Sequence, residues 1–64
     1  MDKILELRAK RAALWQKAKD FLDSHTDEDG RLTAEDAATY DSMEAEVVAM
    51  KQAIDRLERQ AAVD

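Results

Sequence analysis

The sequence predicts an all-α protein: an antiparallel two-helix coiled-coil hairpin, able to dimerise into a four-helix bundle. Three observations predict it. The 64 residues are 39% charged with one glycine and no proline, a composition that suits helix and excludes sheet-forming punctuation. Apolar residues recur at helical spacing on both sides of a single break. That break, Ser24 to Asp36, "SHTDEDGRLTAED", holds the only glycine and a cluster of turn and cap residues.

The first segment, about 2–24, places Ile4, Leu7, Leu14, Ala18 and Phe21 three, four or seven apart, and Leu5, Trp15 and Leu22 widen that stripe. Arg11 falls inside the seam, where its stem can pack while its guanidinium reaches the edge. The turn spans 25–33. Gly30 supplies the freedom for a reversal, and Asp27 and Asp29 are natural turn formers. Thr33 is placed to cap the second helix, with Asp36 three residues on as the acidic partner of a capping box.

The second helix, about 34–62, is the more regular. Tyr40, Met43, Val47, Met50, Ile54, Leu57 and Ala61 alternate spacings of three and four without interruption, an a/d heptad seam. Folding the two segments together predicts Leu14 opposite Val47, Leu7 opposite Ile54 and Arg11 near Met50. Lys17–Glu46 on one edge and Arg8–Glu58 on the other are the expected ion pairs, each contributing under about 1 kcal/mol.

Several function classes are disfavoured. No cysteine is present, so neither a disulfide nor a thiolate site can staple so small a fold. The single histidine, His25, cannot build a histidine metal cluster, and Ser24 beside it lacks a pocket or an oxyanion hole, so no catalysis and no cofactor are expected. A formal charge of −5 argues against nucleic acid as a partner. Residues 1–23 carry six Lys/Arg against four Asp/Glu, whereas 27–46 carry eight acids and only Arg31. Charges interrupt every window of the N-terminal "MDKILELRAK", so neither a signal peptide, a membrane span nor a membrane partner is expected, and a cytoplasmic location is the default.

The turn also resembles a calcium loop, with Asp27, Asp29, Gly30 and Leu32 in suitable places. Its two anchoring positions hold His25 and Asp36 where an oxygen ligand and a bidentate glutamate belong, so no metal is expected. Met43 and Met50 at d positions read as core. Trp15 and Leu22 extend the apolar face beyond what one partner helix covers, which fits either a broad internal core or a docking surface.

Taken in order, "LELRAKRAALWQKAKDFLD", "EDGRLTAEDAATYDSMEAEV" and "AIDRLERQAAV" resemble the N-terminal segment of tailed-bacteriophage major capsid proteins of the phage-capsid family. The "LRAKR" start, the "LTAED" helix start followed by "YDSMEAEV", and the "RLERQ" end, Arg56 to Gln60, carry the resemblance across almost the whole chain. It implies a scaffolding extension, the delta domain, that lies inside the procapsid in the bacterial host's cytoplasm. Such a domain promotes assembly with other copies of itself and of the capsid protein, and a maturation protease removes it. The chain departs from the family in having no shell-forming domain after Asp64, which implies an excised domain or a cleavage product. An unrelated coiled-coil adaptor or regulatory protein, and an EF-hand-like calcium-binding protein, stand as the alternatives.

Overall fold

The computed structural model describes residues 2–63; the expected domain limits, residues 1 and 64, lie outside them. Helix α1 runs Lys3–His25 and helix α2 runs Ala34–Val63, and they pack against each other as an all-α antiparallel hairpin. The result is a rod of 50 × 18 × 15 Å, close to the length of α2 alone at about 1.5 Å per residue.

Both helices begin on a capped turn. The Asp2 side chain accepts a 3.0 Å hydrogen bond from the Ile4 amide at the start of α1. Thr33 Oγ1 accepts a 3.1 Å bond from the Asp36 amide at the start of α2, where Glu35 and Asp36 also face the positive end of the helix dipole. This is one half of the expected capping box. The reciprocal bond from the Thr33 amide to Asp36 is not formed, in keeping with an aspartate one methylene shorter than the glutamate that usually reaches back.

At its other end α1 is closed by its own side chains. The Thr26 amide and hydroxyl both donate to the Leu22 carbonyl, and His25 Nδ1 donates to the Phe21 carbonyl at 2.8 Å. The His25 ring stacks on Phe21 with centroids 3.9 Å apart. These bonds use carbonyls that the end of a helix leaves without amide partners.

Asp27 builds the turn that follows. Its Oδ1 accepts from the amides of Asp29 and Arg31, both at 2.9 Å, while its carbonyl accepts from Gly30 at 3.0 Å and its amide donates to the Arg31 carbonyl at 2.9 Å. Gly30 sits at φ 78°, the left-handed conformation that costs a side-chain-bearing residue about 1 kcal/mol or more. A closed loop results, narrow enough to reverse the chain between two helices lying side by side.

Packing is thin. Among the described residues, Ala18, Val47 and Ile54 are the buried hydrophobic ones, and the rest of the seam from Ile4 to Leu57 is half-buried. The accessible surface is 5004 Å², whereas a compact monomer of 7.3 kDa exposes about 4,200 Å². Two helices side by side cover one stripe of each other and leave the flanks open.

Candidate interaction surface

The residues expected at the interface occupy three levels of burial. Ala18, Val47 and Ile54 are buried; Ile4, Leu7, Leu14, Phe21, Leu22, Tyr40, Met43, Met50 and Leu57 are half-buried; Trp15 is exposed. The half-buried residues of α1 therefore continue the repeat of three and four through Arg11, so that both helices present a heptad seam of matching pitch. Leu5, expected to widen the stripe, stands 59% exposed, and Val48, on the outer flank of α2, 50%.

Three grooves along the seam show which residues of the two helices adjoin. Arg11 lines one groove with Ile54, and Leu14 lines another with Met50. At the open end Ile4 meets Leu57 and Ala61 in a third groove.

Arg8 and Glu58 form the expected ion pair at 2.6 Å, joining the two helices at one edge. Lys17 and Glu46 do not pair. Lys17 instead lines the groove that Leu14 shares with Met50, and an exposed pair has too little free energy to hold two long side chains in one geometry. Two further ion pairs run along single helices, Lys10–Glu6 at 3.8 Å and Lys51–Asp55 at 3.1 Å.

Arg11 carries an electrostatic cost. Its Nε is buried without a hydrogen-bond partner, so only the far end of the guanidinium reaches the groove that Asp55 and Glu58 also line. Tyr40, in the seam near the turn, is held above its ordinary value of 10.0, first by partial desolvation, then by the Glu44 carboxylate 3.2 Å from its hydroxyl and by Asp41.

Comparison with protein-family models, curated proteins and solved structures finds no match.

The grooves between the helices are shallow and follow the seam. Among the described residues, no three His, Asp or Glu side chains converge in a metal-holding arrangement. The acidic turn, read as a loop of calcium-binding shape, uses the Asp27 carboxylate to accept two backbone amides. Among the described residues, no helix is long and apolar enough to cross a membrane. The flanks hold large apolar side chains that the hairpin leaves uncovered. Counted in heptads from the seam, Leu5, Trp15, Leu22 and Val48 all fall on the flank where Arg8 meets Glu58, with Lys19 Nζ lying 5.8 Å from the Trp15 ring. The opposite flank carries Lys3, Lys10 and Lys17 on α1 and small or polar residues on α2. Val48 was the signal that the seam repeat alone missed, because its apolarity belongs to the flank.

Proposed function

We propose that this chain is a non-enzymatic assembly module, the internal scaffolding domain of a phage capsid protein, whose partners are other copies of itself and of the capsid protein. The observation that carries the assembly reading is the mismatch between apolar surface and burial. A hairpin with three buried hydrophobic residues leaves a tryptophan, a leucine and a valine exposed on one flank. Scaffolding needs contacts that are individually weak and reversible, made strong by many copies held on one shell. A thin hairpin with an unfinished apolar flank meets that need.

The capsid assignment rests on the order and spacing of "LELRAKRAALWQKAKDFLD", "EDGRLTAEDAATYDSMEAEV" and "AIDRLERQAAV". In that role the module lies inside the procapsid and is cut away by a maturation protease, and its acidic turn keeps incoming DNA at a distance. Deleting the segment from the capsid polypeptide and imaging particles by electron microscopy tests the reading. Aberrant or missing shells are expected. Normal procapsids in normal yield would overturn it.

A further inference from the structure

The hairpin is polar in charge along its length. Residues 2–16 and 47–63, the open end, carry seven Lys/Arg against four Asp/Glu, whereas residues 17–46, the turn end, carry ten Asp/Glu against three Lys/Arg. The apolar flank of Leu5, Trp15, Leu22 and Val48 runs along this rod from one end toward the other. From these two facts we infer that the occupant of that flank is a second copy of the chain, lying antiparallel so that the turn end of each hairpin meets the open end of the other.

Charge decides the direction. A parallel pair would set two turn ends, each strongly acidic, side by side, and like charges at contact are destabilising; the antiparallel pair sets acid against base at both ends. Area decides the number of copies. The hairpin exposes about 800 Å² more than a compact monomer of its mass, which is about what each partner contributes to an interface of standard size. Arg11 adds a local reason. Its side chain lines the groove on this same flank, and the antiparallel arrangement brings the carboxylates of the second copy's turn end toward that groove. Trp15, near the middle of α1 and flanked by Lys19, then lies close to the two-fold axis, where aromatic residues dominate binding energy.

This pairing supplies the self-contact of the scaffolding reading and rests on it only for its biological purpose, since the dimer is measurable in isolation. The chain has no cysteine, so a single spin label at Asp29→Cys, on the turn, reports one distance per dimer. The antiparallel pair predicts about 50 Å between labels, the length of the rod. A distance under about 25 Å would mean a parallel pair and overturn the proposal, as would light scattering showing a monomer at 100 µM, on the order of the affinity that so small an interface supplies.

Val48→Glu places a charge on the flank without touching the seam and is expected to weaken dimerisation about 30-fold or more. Ala13→Glu, on the opposite flank, is expected to leave it unchanged. Equal effects of the two substitutions would place the interface elsewhere. Emission of Trp15, the only tryptophan, should shift to the red on dilution, and an unchanged spectrum through dissociation would count against its burial by a second copy. A monomer in solution with normal dependence of shells on the segment would sink the dimer alone; a dimer with shells indifferent to deletion would sink the scaffolding role alone.

Discussion

The two helices divide the work unequally. Helix α2 carries an unbroken heptad seam and contributes two of the three buried hydrophobic residues, Val47 and Ile54; α1 contributes Ala18, interrupts its seam with Arg11, and bears Leu5 and Trp15 on the open flank. An isolated coiled-coil hairpin would gain most from two seams of equal quality. The difference teaches that α2 anchors the hairpin, whereas α1 is divided between packing inward and presenting apolar surface outward.

The most direct way to break this comparison is to truncate a seam residue on each side. Ile54→Ala removes a side chain that is 5% exposed and is expected to cost about 2–4 kcal/mol; Leu14→Ala, at a half-buried position on α1, should cost about half as much, since less surface returns to water. Thermal unfolding followed by circular dichroism measures both. Equal losses would show that the helices share the core evenly.

Arg11 sharpens the comparison from the other direction. Arg11→Leu replaces a seam side chain whose Nε is buried without a partner, and in the monomeric Val48→Glu background it is expected to stabilise the hairpin by about 1 kcal/mol. The corresponding polar insertion at Ile54 in α2 would have the opposite sign. If Arg11→Leu is destabilising in that background, the guanidinium is satisfied within one chain and α1 is better packed than its seam implies.

Caps set the next smaller effect. Thr33 begins α2 next to a turn closed by Asp27, so Thr33→Ala should cost about 1 kcal/mol, whereas Asp2 begins α1 at the free end of the rod and Asp2→Ala should cost about 0.5 kcal/mol or less. Urea titration of the two variants measures the order, and a larger loss at Asp2 would reverse the ranking of the helices.

Much of this was readable from the residues. The two helices, the reversal at Gly30 and the Thr33 cap each follow from a local rule with one outcome, a repeat, a residue suited to positive φ, a hydroxyl before a helix, whereas opposite charges on one edge foretold the Arg8–Glu58 pair but not the absence of Lys17–Glu46. Which seam residues share a groove was not readable from the repeat, because that depends on how side chains of different breadth fit together. Nor was the dual bond to Asp27 Oδ1, since Asp27, Glu28 and Asp29 compete for that role until the backbone is placed. The interaction flank was half legible: Trp15 and Leu22 stood out beside the α1 seam, while Val48 became meaningful only once Arg8 and Glu58 showed which edges of the two helices adjoin.

The smallest expected effect belongs to Tyr40, the only tyrosine and the seam residue of α2 nearest the turn. Its hydroxyl is raised above 10.0 in the folded chain, by desolvation first and by Glu44 and Asp41 after it, so the hairpin prefers the protonated phenol. The unfolded chain releases that proton near 10.0, and the folded chain only at higher pH. The stabilisation is therefore complete below the unfolded value and is lost as pH rises through the folded one. Tyr40→Phe keeps the ring in the seam and removes the ionisation. Lysines titrate in the same range, so the informative quantity is the stability of the wild type minus that of Tyr40→Phe, measured by urea unfolding from pH 8 to 11.5. The difference should be flat at first and then turn against the wild type. A difference that stays constant throughout would show that the α2 seam at Tyr40 is as open to water as the flank of α1.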